Sequence, residues 1–279
     1  MTMRAALLVL LAWAAPALAE PRFALVIGNG AYQAVAPLDN AVADAQLMAG
    51  TLERKGFTVT LLIDTGQADL KRGIGQFGRQ LREAGADATG LFYYAGHGVQ
   101  SFGANYLLPV DASLTDAADL GLVGVPADAI LRQMYSARNK TNIVILDACR
   151  NNPFAAIPDL GDNGLAEMKA PTGTYLAYST APGAVALDGA DGNSPFTRAL
   201  AAEIDSPGAP IEQVFKQTRV AVLAATNGLQ TPWDTSSLTA SFSFTPAVVL
   251  SPEELAARQL WDSVRESRDP VQIMLFLRG

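Results

Sequence analysis

The sequence is poor in the side chains that most often do chemistry. Among 279 residues there is one cysteine, Cys149, and one histidine, His97. A single cysteine excludes any disulfide within the chain. Charge is scarce too: charged residues make up 17% and sum to −7, which argues against nucleic acid or an anionic membrane surface as a partner. An acidic chain of this kind tolerates, and weakly attracts, basic peptides. Beyond the N-terminus no apolar run is long enough to span a membrane. What is abundant is apolar: hydrophobic residues are 49%, enough for a substantial core and incompatible with overall disorder. The length suits one large α/β domain, or one domain with a small appendage.

The one long apolar run stands at the start, "MTMRAALLVLLAWAAPALAE". Arg4 supplies a positive beginning, Ala5 to Ala15 an apolar centre, and Ala17-Leu18-Ala19 an A-x-A cleavage site. The centre is shorter than the ~20 residues of a spanning helix. The expectation is a signal peptide over 1–19 and an exported protein, periplasmic or secreted, with no membrane span in the mature chain. An uncleaved anchor is the alternative. An exported chain that keeps a lone free thiol calls for a reason.

Solid apolar runs alternate with amphipathic stretches. Strands are expected at 22–29, 58–64, 88–96, 141–148 and 173–180, with a half-exposed last strand over "SLTASFSF" (237–244). Helices are expected over 40–57, 67–84 (despite Gly73, Gly75 and Gly78), 126–136, 194–204 and 211–226. Such a pattern indicates a mainly parallel sheet covered by helices on both faces, with ligands beyond the C-terminal strand ends. Residues 151–172 form a long loop, functional or cleavable. After a break near 246–252, residues 252–279 read as a short helical extension, so the main domain is expected over 20–246.

His97 and Cys149 both stand just past the end of an apolar run: "LFYYAGHGVQ" and "NIVILDACRNNP". If those strands are neighbours, the two side chains share one crevice. A thiol attacks a carbonyl as thiolate, and a nearby imidazole lowers its pKa and later protonates the leaving amine. The glycines of "VIGNGAY" do not make a phosphate site, because Gln33 stands where G-x-G-x-x-G needs its last glycine.

The local sequence Asp147-Ala148-Cys149-Arg150-Asn151, with His97 about 50 residues upstream, resembles the caspase signature. "YYAGHG", "AYSTAPG" (177–183), "PLDNAVADA" and "NYLLPVD" fit in order, and across 23–245 the chain resembles the caspase–metacaspase–paracaspase superfamily, most closely its bacterial members. The resemblance implies an α/β three-layer sandwich on a mainly parallel six-stranded sheet. It implies a cysteine endopeptidase with Cys149 as nucleophile and His97 as general base and acid. The backbone N–H groups of Gly98 and Cys149 would form the oxyanion hole. No side chain that orients the imidazole can be named; in this family a backbone carbonyl can serve.

Substrate preference follows from departures. The caspase positions that hold a P1 aspartate fall near Leu38 and at Asp147 and Asp188, so the basic pocket is gone. Metacaspases and paracaspases use aspartates matching Asp44 and Asp147. A carboxylate pocket pairs bidentately with guanidinium and less well with ammonium, so Arg or Lys is expected at P1, bound by Asp44, Asp147 and Asp188. Asp44 also has the reading of a capping or locally paired residue. Asp159, Asp162, Asp188 and Asp191 offer oxygen ligands for calcium but lack EF-hand spacing, and no cofactor is otherwise expected. Lys169, in "GLAEMKAPTG", is the only basic residue between Asn151 and Thr197 and is the expected site of self-processing; the alternative is a single chain whose loop is merely long. The expected partners are protein or peptide substrates with basic P1, cut by a monomer. The rival reading is a non-catalytic caspase-like module that binds proteins through its groove and C-terminal helices.

Overall fold

The computed structural model describes residues 20–148, 152–154, 156–158, 160, 164–189, 192–247, 251–265, 269 and 274. The elements are β1 (Arg22–Gly28), α1 (Ala41–Arg54), β2 (Thr58–Ile63), α2 (Gln67–Ala84), β3 (Thr89–Ala95), β4 (Gly98–Ser101) and β5 (Ala104–Leu107). They continue with α3 (Leu120–Val123), β6 (Val125–Pro126), α4 (Ala127–Ala137), β7 (Thr141–Asp147), β8 (Thr174–Tyr178), α5 (Pro195–Glu203), α6 (Ile211–Ala225), β9 (Trp233–Ser236) and α7 (Pro252–Val264). A six-stranded sheet in the order β2-β1-β3-β7-β8-β9 forms the centre, and β4-β5-β6 make a small second sheet. All central pairs are parallel except β8–β9.

The solid apolar strands have a simple cause. Successive side chains point to opposite faces, and both faces are covered. Leu25, Ile27, Phe92 and Tyr94 pack with α2 and α4. Val26, Leu91 and Tyr93 pack with α1, α5 and α6. Gly73, which weakens α2 as a helix, lets it lie close to the sheet: a Cβ there would come 2.6 Å from Leu62 Cδ1.

The sequence pattern erred at the last strand. The edge strand is Trp233–Ser236, paired with Tyr175–Tyr178, whereas 237–244 is not a strand. Ser237 ends the ladder by bonding Thr174 and Pro171 with its hydroxyl. The chain then turns so that Phe242 and Phe244, edge to face at 5.0 Å, fill the α1/α6 core, while Arg22 donates to the Phe244 and Ser243 carbonyls. The Ser/Phe alternation therefore reflects plugging of the core, not pairing. Trp233 is 43% exposed on the edge strand. Among the described residues, no helix is long and apolar enough to cross a membrane. The N-terminal segment 1–19 lies outside the described residues, as does most of 266–279.

Candidate active site

The strands before His97 and Cys149 are neighbours. β3 and β7 run parallel in a register that sets Ala95 beside Asp147, and His97 and Cys149 are each the second residue beyond a strand end. Cys149 and Arg150 lie outside the described residues. Ala148, bonded to Cys149, is described: its carbonyl oxygen is 3.1 Å, and its Cβ 3.2 Å, from where a Cβ on Gly98 would stand.

The glycines around His97 are there for space. A Cβ on Gly96 would come 2.6 Å from the Tyr94 hydroxyl and 2.7 Å from that of Tyr32. A Cβ on Gly98 would press on Leu165 at 3.0 Å as well as on Ala148. Neither position needs a left-handed backbone; both need the absence of a side chain.

His97 is 4% exposed, and its Nε2 lies 3.0 Å from the Ala36 carbonyl oxygen. A carbonyl only accepts, so Nε2 carries the proton, and in the neutral ring the lone pair sits on Nδ1. The loop holding Ala36 is itself shaped. The Asp64 carboxylate accepts from the backbone of Gly30 and Ala31 at 2.7 and 2.8 Å, and Leu38 N–H donates to the Gly30 carbonyl at 3.0 Å. The orienting group is thus backbone, which has no letter in a sequence.

Gly98 begins β4, opposite Leu107 of β5. Leu108 N–H donates to the His97 carbonyl at 3.0 Å, which makes Gly98–Leu107 a non-hydrogen-bonded pair of the antiparallel ladder. The Gly98 N–H is therefore not consumed by β5, and β4 is the edge of its sheet.

A pocket of about 400 Å³ opens at His97, walled by Leu38, Val185, Ala186, Leu187 and Asp188 among others. Asp188 is the one carboxylate on its described walls. Its segment hangs on two buried amides. Asn40 donates to the Asp188 and Gly189 carbonyls at 2.6 and 2.9 Å, and Gln230 accepts from Leu187 N–H at 3.1 Å while donating to the Ser179 carbonyl at 2.8 Å. Asn40 stands in "PLDNAVADA" without a role of its own in the sequence, and Gln230 carried no sequence signal.

Asp44 and Asp147 are fully buried and do not line that pocket. Asp44 Oδ1 accepts from Asn193 Nδ2 at 3.0 Å and from Ser194 N–H at 2.8 Å. Asp147 Oδ2 accepts from the hydroxyls of Ser194 and Thr197 at 2.7 and 3.0 Å. Both carboxylates thus grip the start of α5, where Ser194 is the N-cap and the helix dipole favours negative charge. Asp147 Oδ1 is buried with no hydrogen-bond partner among the described residues.

Lys169 is exposed and lies elsewhere, on the rim of a separate cavity of about 500 Å³ with Asn105, Tyr135 and Glu167. Its segment is tied down: Ala166 exchanges two hydrogen bonds with the Asn105 side chain, at 2.7 and 2.8 Å, and Met168 N–H donates to the Tyr178 hydroxyl at 3.0 Å. Among the described residues no group of three His, Cys, Asp or Glu side chains could hold a metal ion. Asp159, Asp162 and Asp191 lie outside them.

A parallel-centred sandwich with its histidine past β3, beside the strand that leads to the cysteine, defines a caspase-type domain. The chain belongs to the peptidase C14 family, whose model, described as caspase domain, matches residues 21–243. It is 29% identical over 173 residues to mucosa-associated lymphoid tissue lymphoma translocation protein 1 of Homo sapiens, a match covering 61% of this chain and 20% of that protein. The homologue from Mus musculus matches to the same extent. The chain thus spans about a fifth of the length of these curated relatives.

Proposed function

We propose that the protein is a cysteine endopeptidase that cuts after Arg or Lys. The observation that carries the reading is the Nε2–H of His97 on the Ala36 carbonyl, which leaves Nδ1 as the basic nitrogen beside the strand leading to Cys149. Nδ1 takes the Cys149 thiol proton, and the thiolate adds to the scissile carbonyl. The oxyanion is held by the N–H groups of Gly98 and Cys149. The imidazolium returns its proton to the leaving amine, and a water activated by the same ring then hydrolyses the thioester. Asp188 on the pocket wall pairs with the P1 cation, and the buried carboxylates of Asp44 and Asp147 add negative potential behind Asn193 and Ser194; the open Oδ1 of Asp147 supports this. The sequence pattern of 1–19 supports export, so the enzyme works in the periplasm or outside the cell.

Fluorogenic peptides differing only at P1 test the reading. Arg and Lys substrates should be cut and Asp substrates left intact. A thiol-directed covalent probe with basic P1 should label the native chain and not Cys149→Ala, and Cys149→Ala or His97→Ala should lose at least about a thousandfold in kcat/KM. Preference for Asp at P1, or hydrolysis surviving in Cys149→Ala, overturns it.

A further inference from the structure

Tyr32, the last residue of "VIGNGAY", is buried against His97 and touches it twice. Its hydroxyl accepts the His97 backbone N–H at 2.7 Å, and its ring centroid lies 4.5 Å from that of the imidazole at a tilt of 52°. The same hydroxyl lies 3.2 Å from the Tyr94 hydroxyl and 3.2 Å from the Leu108 carbonyl oxygen. The Tyr94 hydroxyl in turn reaches the His97 and Leu108 carbonyl oxygens at 2.9 and 2.8 Å.

The two carbonyls of the cluster already have donors, Asn29 Nδ2 to Leu108 at 3.1 Å and Leu108 N–H to His97 at 3.0 Å, and the Tyr32 oxygen accepts the His97 N–H. Sending the Tyr32 proton to Leu108 and the Tyr94 proton to His97 gives each carbonyl one hydroxyl donor beside its N–H donor. Both backbone groups of His97 are then held by tyrosine side chains. Burial, followed by the neighbouring Tyr32, pushes the Tyr94 phenol well above its usual pKa, so it stays a neutral donor. Gly96 belongs to the same unit, because a Cβ there would collide with both hydroxyls.

We propose that Tyr32 is a positioning residue for His97: its hydroxyl fixes the peptide at the base, and its ring bars the imidazole from turning off the Ala36 carbonyl. The Nε2–H tautomer is thereby set before substrate arrives. A free imidazole exchanges between tautomers and rotates about χ2, whose preference is broad. The Tyr32 ring, tilted 52° against the imidazole at 4.5 Å, narrows that freedom beyond the hydrogen bond to Ala36. The inference rests on the reading of His97 as the base for Cys149, but its test does not depend on turnover.

His97 is the only histidine in the chain, so one imidazole accounts for every ring signal in a histidine-labelled nitrogen NMR spectrum. The native protein, Tyr32→Phe and Tyr32→Ala are compared above the pH where the ring titrates, together with kcat, KM and Tm. The native ring should be almost wholly Nε2–H. Tyr32→Ala should show mixed tautomers and lose about a hundredfold in kcat, the scale of a misplaced catalytic group, with KM within about twofold. Tyr32→Phe keeps the ring, so its tautomer should stay native while kcat falls about fivefold for the lost hydroxyl. A native tautomer in Tyr32→Ala overturns the inference whatever the activity. So does an equal loss in Phe and Ala variants that tracks Tm alone. If Tyr32→Ala does not fold, Tyr32→Leu, which keeps bulk without a flat ring, is read in the same way. A native chain that cuts no peptide defeats the proposed function, and the ring spectrum still decides the role of Tyr32.

Discussion

The two sides of the pocket are built differently. On one side His97 is held at its ring by Ala36, at its N–H by Tyr32 and at its carbonyl by Leu108 and Tyr94. It follows β3, a strand buried at every residue. On the other side Val185–Gly189 leaves β8 as irregular chain, and its described ties are the amides of Asn40 and Gln230. Chemistry demands a base placed within a fraction of an ångström, whereas recognition of a long cation tolerates a wall that gives. The rigid side is made from core residues and the adjustable side from a loop hung on two hooks, so damage on the two sides should read out differently.

The largest effect belongs to the rigid side. Gly96→Ala drives a methyl group into two buried hydroxyls that cannot retreat without releasing the His97 backbone. Overpacking of this kind costs about 1–3 kcal/mol of stability, and the displaced base should cost about a hundredfold in kcat. Chemical denaturation and steady-state kinetics on an Arg peptide measure both. A fully active Gly96→Ala would show that the contrast between the sides is illusory.

Next come the carboxylates, which divide along the same line. Asp147→Asn weakens two charge-assisted bonds to Ser194 and Thr197, each worth more than a neutral pair, so unfolding should become easier by about 1–3 kcal/mol. Asp188 is half-buried on the pocket wall, so Asp188→Asn should cost less stability than Asp147→Asn does. It should nevertheless lower kcat/KM for Arg substrates about tenfold, and for neutral ones little. Asn40→Ala and Gln230→Ala, by loosening the wall, should raise KM about threefold at nearly native kcat, the worth of one modest hydrogen bond. If Asp188→Asn weakened Arg and neutral substrates equally, the wall would not be reading charge.

How much of this was legible beforehand follows the same division. The central sheet was plain because parallel strands covered on both faces must be apolar throughout, as "LFYYA" and "NIVIL" are. His97 and Cys149 stood out because each residue type occurs once; that they react together belongs to the proposed function. Three things were not plain. The orienting group is the carbonyl of Ala36, and backbone has no side-chain letter. Asn40 and Gln230 are ordinary amides whose importance lies in reaching across 148–149 and 43 positions of sequence. Asp44 and Asp147 were read from matched positions alone, which say where a carboxylate stands but not that Ser194 and Asn193 already occupy it. The strand misplaced at 237–244 has a related cause, since alternation of Phe with small polar residues describes a core plug as well as a half-exposed strand.

The smallest effect concerns which side the segment around Lys169 belongs to. By its contacts it belongs to the rigid one: Leu165 is buried against Gly98, Ala166 is clamped by Asn105, and Met168 is buried with its N–H on Tyr178. A peptide bond is cut only when its segment can be drawn out into a groove, and here at least three hydrogen bonds must open first, each worth about 1 kcal/mol. Lys169 does not line the pocket at His97. If self-processing occurs at Lys169–Ala170, it should therefore be slow, and faster at higher protein concentration because one molecule cuts another. Asn105→Ala should accelerate it about thirtyfold by removing two of the three bonds. Lys169→Gln should abolish the fragment that begins at Ala170 while changing peptide hydrolysis less than about twofold, as an exposed substitution does. N-terminal sequencing of fragments over a dilution series distinguishes the cases. A cut whose rate ignores dilution and is unmoved by Asn105→Ala would place the segment with the adjustable wall instead.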